Sequence, residues 1–179
     1  MSGQMLAVGR RVVSLAAVAV LALVGLTACS PSTKGVTGLS VDENGQLLAV
    51  LAWCTKQPPD TVLLDYLPPE TASASPSGPP DLSLVLSRRS KYAVPQGATR
   101  PAMLPLVDFP PELAHHPDTA FRIFAVEDRN SFNLEPLYFR LGDLAALVPG
   151  GVMVDGGAES WEIVSADEFV RRGQEAPEC

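Results

Sequence analysis

Proline and glycine set the strongest constraint on what this chain can fold into. The 179-residue sequence contains 17 prolines and 14 glycines. Proline disrupts helix interiors and cannot donate to a sheet ladder, while glycine weakens regular elements and favours turns. The sequence therefore predicts many short strands and few long helices. Aromatic residues are sparse, but the plentiful aliphatic residues are sufficient to build a core.

A β-hairpin is the clearest local pattern. The stretch 37–41 alternates apolar and small polar residues, Asn44-Gly45 follows, and the apolar stretch 47–54 returns. Asn-Gly is favoured in hairpin turns whose two central residues both have positive φ. The returning stretch is apolar at both parities, which is typical of a strand covered on both faces. We therefore expect this strand at the centre of the core.

Shorter apolar stretches predict the remaining strands, which lie at 61–66, 82–86, 102–107, 121–127, 137–141, 152–154 and 161–164. Pro105 restricts the strand at 102–107 to the edge of a sheet, because proline cannot donate to a ladder. The proline-rich segment 67–80 has little to pack and is predicted to be a surface loop. Asp143 is predicted to cap a single helical turn at 144–147.

One helix is predicted at the C-terminal end. Ser165 and Glu168 have the spacing of a capping box, and Arg171 and Arg172 lie in the last turn before Gly173. Many short strands followed by one helix predict a mainly β, β-rich α+β domain. Its simplest form is a sandwich of antiparallel sheets with one C-terminal helix.

The N-terminal segment has the residue order of an export signal. Arg10-Arg11 precede an apolar run at 12–25, in the order of a secretory signal peptide. Leu26-Thr27-Ala28-Cys29 then resembles the lipobox of bacterial lipoproteins, in which an aliphatic residue and two small residues precede an obligate cysteine. The resemblance implies cleavage before Cys29 and attachment of a diacylglyceryl group, with fatty acyl chains such as palmitate, to the Cys29 sulfur. Two or three such chains would make membrane attachment effectively permanent.

Two alternatives compete with a lipid anchor. A transmembrane helix needs about 20 apolar residues, whereas the run at 12–28 is shorter and contains Ser14 and Gly25. An ordinary signal peptide ends in an A-x-A-like site, which residues 27–29 do not offer. The lipoprotein interpretation predicts a signal peptide at 1–28, a lipidated tether at 29–35 and a single β-rich domain at 36–179. That domain would lie at the extracytoplasmic face of the cell membrane.

The charge of the processed chain excludes some partners. Removing Arg10 and Arg11 from 13 basic residues leaves 11 against 20 acidic ones, a formal net charge of −9. Such a balance disfavours nucleic acid and does not support electrostatic attachment to anionic lipid. We therefore predict attachment to the membrane through the lipid on Cys29, no nucleic-acid partner, and an envelope protein or ligand as the candidate partner.

Cysteine usage predicts a disulfide. The chain has three cysteines, and a lipobox uses the Cys29 sulfur in a thioether, which leaves Cys54 and Cys179 as a pair in an oxidising compartment. A bridge would tie down a C-terminal tail that lacks large apolar side chains. We expect the two Cα atoms about 4.4 to 6.8 Å apart. The alternative is two unrelated thiols.

The sequence contains no strong catalytic or metal-binding motif. His115 and His116 are adjacent rather than spaced at i and i+4 as in zinc-binding helices, so we predict a solvated loop, no metal and no cofactor. The basic cluster at 88–92 is expected to be a solvated strand end, with an anion or lipid-headgroup site as the alternative.

Function follows from the anchor and from the lack of a catalytic motif. We expect a non-enzymatic exported lipoprotein with a binding or structural role at the cell envelope, and no catalytic residue is predicted. The alternative is an envelope hydrolase that uses His115 or His116 with Asp118. The blocks 37–54 and 143–154 and the closing helix also resemble small exported proteins of high-GC Gram-positive bacteria that have no assigned activity.

Overall fold

The computed structural model describes residues 31–67, 89–110, 116–129, 131–157 and 160–179. The predicted signal peptide, Cys29, the proline-rich segment after Leu67, the strand at 82–86 and His115 lie outside the described residues. The described elements are β1 (Ser32–Val41), β2 (Leu47–Trp53), β3 (Thr61–Leu67), β4 (Arg89–Ala93), β5 (Ala102–Pro105), β6 (Ala120–Val126), β7 (Phe132–Glu135), β8 (Leu137–Arg140), a 3-10 helix (Leu141–Ala146), β9 (Gly151–Gly157), β10 (Ser160–Ser165) and α1 (Ala166–Gln174). The predicted β-rich α+β class with one C-terminal helix is confirmed.

β1 and β2 form the predicted hairpin in a regular antiparallel register. The turn differs from the expected type, because Gly45 has a φ of 80° whereas Asn44 does not adopt positive φ. The Gly45 N–H donates to the Asp42 carbonyl at 3.0 Å, and the Asp42 N–H donates to the Gln46 carbonyl at 3.1 Å. This is the pattern of a three-residue loop in which a left-handed glycine follows a type I turn.

β2 is the central strand that the sequence predicted. It pairs with β1 along one edge and with β5 along the other. Leu51 and the other odd-numbered residues of β2 face the main core, while Val50 and Ala52 face a smaller apolar cluster that contains Phe169 of α1. The five residues 49–53 are at most 2% exposed. Because full burial of one aliphatic side chain contributes about 1.5 to 3 kcal/mol, β2 anchors both sides of the sheet.

The strands belong to one mixed, nearly closed sheet rather than to two separate antiparallel layers. The main path is β10-β9-β1-β7-β6-β3-β4, with β2 beside β1, β5 beside β2 and β8 beside β6. β1 and β7 run parallel, with Ser32 opposite Phe132. The expected sandwich of antiparallel sheets did not include this parallel pair, which joins segments that are distant in sequence.

The edge of β1 opposite β2 is shared by two partners. Residues 32–36 pair with β7, and Leu39 pairs with Met153 of β9. Pro136 separates β7 from β8, and both of these strands run beside β6. β7 therefore bridges β1 and β6 at one end of the sheet. Elsewhere β1 pairs with β9 and β6 pairs with β8, and β8 lies near the β9–β10 hairpin.

α1 covers the outer side of β2. Ser165 is its N-cap and accepts a hydrogen bond from the Glu168 N–H at 3.2 Å, as the capping pattern predicted. Phe169 of α1 is fully buried in the apolar cluster that it forms with β2. Gly173 lies inside α1 rather than after it, and a Cβ at this position would come 2.4 Å from the Ala52 Cβ. Glycine therefore lets the helix approach the strand closely.

Asp143 caps a helical turn from a different position than predicted. The 3-10 helix begins at Leu141 and its N-cap is Arg140, whose N–H donates to the Asp143 carboxylate at 2.6 Å. The Asp143 side chain therefore accepts the backbone N–H of the N-cap residue from the third position of the helix, whereas the prediction placed Asp143 before the helix.

β6 follows the expected alternation, β5 is the expected edge strand, and β7 is an additional strand. Phe121 and Ile123 of β6 are buried, and β5 pairs only with β2 within the described residues, as expected for an edge strand. β7 was not predicted. Asn133 and Pro136 interrupt its apolar pattern, so Phe132 gave too short a signal for a strand.

The predicted disulfide joins Cys54 to Cys179, with the two Cα atoms 5.9 Å apart. Cys54 directly follows β2. In the tail that ends in Cys179, Ala176 is buried, with 6% of its surface exposed. The Glu178 carboxylate accepts a hydrogen bond from the Thr33 N–H at 2.5 Å. The tail is thus attached to β1 and to the end of β2.

Substitution Cys179→Ser should lower the free energy of unfolding. The bridge spans a sequence separation of 125 residues, so chain entropy predicts a loss of about 4 to 5 kcal/mol. Denaturant unfolding of the oxidised protein and the variant would measure the difference. Thiol titration of the denatured, unreduced, processed protein should find no free thiol at Cys54 or Cys179, and two free thiols there would contradict the prediction.

Candidate functional site

The division of the sheet leaves an opening between β8 and the β9–β10 hairpin. Within the described residues no ladder pair joins β8 to β10, although their Cα atoms come within 8 Å of each other. Two concave regions adjoin the β9–β10 hairpin, one at β9 and one along this opening at β10. We call them the inner cavity, beside the end of β7, and the outer groove, beside β8, and together they form the cleft.

The inner cavity has a volume of about 270 Å³ and lies between β1, β9 and the C-terminal part of α1. Its lining residues are Val36, Thr37, Glu135, Val154, Asp155, Arg171, Arg172, Glu175, Ala176 and Pro177. Val36 and Val154 form an apolar wall that is continuous with the cluster beneath α1. The opposite wall is made by the tail that the disulfide holds.

Both arginines that line the inner cavity form ion pairs, whereas one of its carboxylates, that of Glu135, forms none within the described residues. Arg171 binds Glu168 and Glu175, and Arg172 binds Glu168 and Glu162. Glu135 has no such ion pair within the described part of the chain. Burial raises the pKa of Glu135, and repulsion from Asp155 raises it further, while Arg172 opposes the shift.

The outer groove has a volume of about 480 Å³, which is the size of many small-ligand sites. It is lined by Ala120, Phe121, Tyr138, Phe139, Arg140, Asp143, Ser160 and Trp161. Tyr138 is 55% exposed and Trp161 is half-buried. The stacked rings of Phe121 and Phe139, with centroids 5.1 Å apart, form the base of the groove.

The β9–β10 hairpin connects the two parts of the cleft. Asp155 of the inner cavity is directly opposite Trp161 of the outer groove in the hairpin register. Directly opposite residues of an antiparallel pair project from the same face and contact each other.

A buried ion-pair cluster supports the β8 side of the cleft. Asp65 is 2% exposed and lies on β3 between Arg89 of β4 and Arg122 of β6, which are its partners in register. Arg89 donates to both carboxylate oxygens of Asp65, at 2.5 and 3.0 Å, and Arg122 donates to one of them at 2.5 Å. Arg122 also lies 4.7 Å from the ring centroid of Phe124 and is the register partner of Tyr138. The cluster therefore fixes the strand next to the exposed tyrosine.

Substitution Asp65→Ala should destabilise the fold, because it leaves two partly buried guanidinium groups without their carboxylate. Removing one partner of a buried pair costs about 3 to 5 kcal/mol, and the partial exposure of both arginines places the expected loss near the lower end. Denaturant unfolding at pH 7 measures it. Glu43→Ala, which removes an exposed turn carboxylate, is the control and should change stability by less than about 0.5 kcal/mol.

The effect of Asp65 should depend on pH. Burial alone would raise the pKa of Asp65, but the hydrogen bonds and charges of Arg89 and Arg122 outweigh it and hold the pKa below its ordinary value of 3.8. A lowered folded-state pKa gives stability that is present above the unfolded-state pKa and is lost as pH falls through the folded-state pKa. The difference between the unmodified protein and Asp65→Ala should therefore narrow below about pH 4. A difference independent of pH would contradict this assignment.

The residues that the sequence analysis selected as candidate site residues do not come together in one site within the described part of the chain. Cys54 and Cys179 are joined, Cys29 and His115 lie outside the described residues, and His116 Nδ1 is 3.8 Å from Asp118 with both side chains exposed, at 60% and 71%. In the basic cluster, Arg89 is engaged by the buried Asp65 instead of being solvated.

Sequence reasoning did not identify the cleft residues. The alternation of β8 places Leu137 and Phe139 in the core, so the same pattern indicates that Tyr138 faces outward. No local pattern indicates that Trp161 or Glu135 lies at the same opening, because that depends on how distant strands pair.

Comparison with known protein families, with curated proteins and with solved structures found no match to this chain. In the part of the chain that the structure describes, no helix has the length and apolar character needed to span a membrane.

Proposed function

We propose that this protein is a non-enzymatic, lipid-anchored binding protein at the extracytoplasmic face of the cell membrane, and that the cleft is its binding site. The observation that carries the binding role is the division of the sheet. It leaves a groove whose exposed tyrosine and half-buried tryptophan stand beside polar side chains on a rigid scaffold. Concave sites with an apolar surface and a few convergent polar groups are the usual form of ligand sites.

The lipobox resemblance supports the location. Cys29 would carry the lipid, and residues Ser32–Cys179 form a compact unit that follows it in the chain. The Cys54–Cys179 disulfide fits an oxidising, extracytoplasmic compartment. Attachment through lipid rather than through a basic surface agrees with the acidic balance of the processed chain.

A hydrolase that uses His116 and Asp118 is supported less well. The two side chains are 3.8 Å apart, and both are mostly solvent-exposed. Catalytic groups gain most of their effect in water-excluded sites where charge is poorly screened. The exposed pair therefore fits a solvated surface turn better than an active site.

Substitution Cys29→Ser should abolish lipid attachment and leave an unprocessed precursor. The lipobox chemistry requires a sulfur nucleophile, which serine does not supply. Metabolic labelling with a fatty acid, followed by gel mobility and membrane fractionation, tests the prediction. Cys54→Ser is a matched control, because it also removes a cysteine but should keep the label. Label retained on Cys29→Ser would refute the proposed anchor.

The binding role predicts a ligand-dependent rise in melting temperature. Purified processed protein should melt at a higher temperature when mixed with a solubilised envelope fraction, because a ligand that binds only the folded state stabilises it. Tyr138→Ala should remove the shift. Met103→Ala on β5 is the control, since Met103 is 54% exposed and Tyr138 is 55% exposed. A shift of equal size in both variants would contradict binding at the cleft, and no shift in the unmodified protein would count against the binding role.

A further inference from the structure

We propose that the outer groove binds an uncharged glycan chain, with Tyr138 and Trp161 as the stacking surfaces for its sugar rings. This inference rests on the proposed function, because it names the ligand class of the cleft. It is carried by three features of the groove: its aromatic faces, its balanced polar groups and its width.

The aromatic faces match the apolar side of a sugar ring. Pyranose rings present a patch of C–H groups on one face, which packs against the electron-rich face of an aromatic ring. Tyr138 is 55% exposed on β8, and Trp161 is half-buried on β10 across the opening. Phe121 and Phe139 also line the groove, and their rings stack on each other with centroids 5.1 Å apart. The groove therefore offers aromatic surface on both of its walls.

The polar groups beside these rings suit hydroxyl groups. The Asp143 carboxylate receives the Arg140 N–H through Oδ2, and the guanidinium of Arg140 donates to the Asp118 carbonyl at 3.2 Å. The Ser160 hydroxyl donates to the Gly157 carbonyl at 2.6 Å, which leaves its oxygen as an acceptor. Asp143 is thus an oriented acceptor, Arg140 a donor with several N–H groups, and Ser160 an acceptor. A polyol, in which every hydroxyl both donates and accepts, is complementary to such a mixture.

The charge balance favours an uncharged ligand. Among the groove-lining residues Arg140 is the one cation and Asp143 the one anion, so their charges cancel locally. Recognition in this groove therefore depends on stacking and hydrogen bonding rather than on charge.

The width of the opening argues against a peptide strand as the occupant. A strand inserted between β8 and β10 would have to lie about 4.8 Å from each, and the flanking strands would then be about 9.6 Å apart. The Cα atoms of β8 and β10 already approach within 8 Å. An inserted peptide would have to force the sheet open, whereas a glycan can lie on the surface of the groove.

The test is a titration of the protein as purified from the cells that produce it, in a detergent whose headgroup contains no sugar, with the tetrasaccharides chitotetraose and maltotetraose. An extended octapeptide of Ser, Thr and Val serves as the comparison ligand. Intrinsic fluorescence is a local readout, because the chain has two tryptophans and Trp53 is 2% exposed in the core. We expect a saturable change in the emission of Trp161 with at least one oligosaccharide and none with the peptide.

Substitutions connect the binding to the groove. Tyr138→Ala should weaken the oligosaccharide about tenfold, because it removes one stacking face. Tyr138→Phe keeps the ring and should retain most of the affinity, and Met103→Ala should bind like the unmodified protein. Far-ultraviolet circular dichroism and thermal unfolding establish that each variant is folded.

Three outcomes would overturn the inference: no saturable change with either oligosaccharide, equal affinity in the protein and its Tyr138→Ala variant, or saturable binding of the peptide alone. The proposed function and the glycan inference can be refuted independently of each other. Loss of the glycan inference would leave the Cys29 label and a Tyr138-dependent thermal shift intact. An unlabelled Cys29 would refute the anchor and leave the oligosaccharide titration unchanged.

Discussion

A strand edge can pair with only one neighbour at each residue, and this constraint on β1 determines the shape of the molecule. β2 pairs with residues 35–41 along one edge of β1, and β7 and β9 share the other edge. β7 pairs with residues 32–36 of β1, and β9 pairs at Leu39. Pro136, which has no backbone N–H to donate to a ladder, separates β7 from β8, and β8 no longer pairs with β1. The sheet divides at this point, and the outer groove lies along the division.

Two attachments keep the divided sheet rigid. On one side, Phe169 and the close approach at Gly173 hold α1 against β2, and the disulfide continues that attachment from Cys54 to the last residue. The tail held in this way includes Ala176 and Pro177, which line the inner cavity. On the other side, the Asp65 cluster ties β3, β4 and β6 together. A cleft between two fixed walls loses little conformational entropy when a ligand binds.

The sequence predicted the parts of this fold that depend on near neighbours. The β1–β2 hairpin, the alternation of β6 and the cap of α1 are all encoded within about twenty residues. The disulfide was predictable because counting the cysteines left one pair. The parallel pairing of β1 with β7 and the meeting of Tyr138 with Trp161 were not predictable. Both depend on contacts between distant segments, and no local pattern records which distant strand occupies an edge.

The turn chemistry shows the same limit on a smaller scale. Asn44-Gly45 predicted a tight turn correctly, but the number of residues in the loop depended on the Asp42 side chain. Its carboxylate accepts hydrogen bonds from the N–H groups of Asn44 and Gln46, at 2.9 and 2.8 Å. These bonds favour the three-residue loop over the two-residue form, because they satisfy backbone donors that would otherwise face solvent.

Four of the arginines are committed to ion pairs within the fold. Arg89 and Arg122 are engaged by Asp65, and Arg171 and Arg172 by glutamates of α1 and β10. These four side chains stabilise the scaffold and contribute little positive potential to a ligand. At physiological ionic strength exposed charges are screened beyond about 8 Å, so the remaining surface acids act only weakly inside the outer groove. Stacking and short hydrogen bonds are then the strongest forces that the groove can exert, and they depend on the ring positions that the divided sheet fixes.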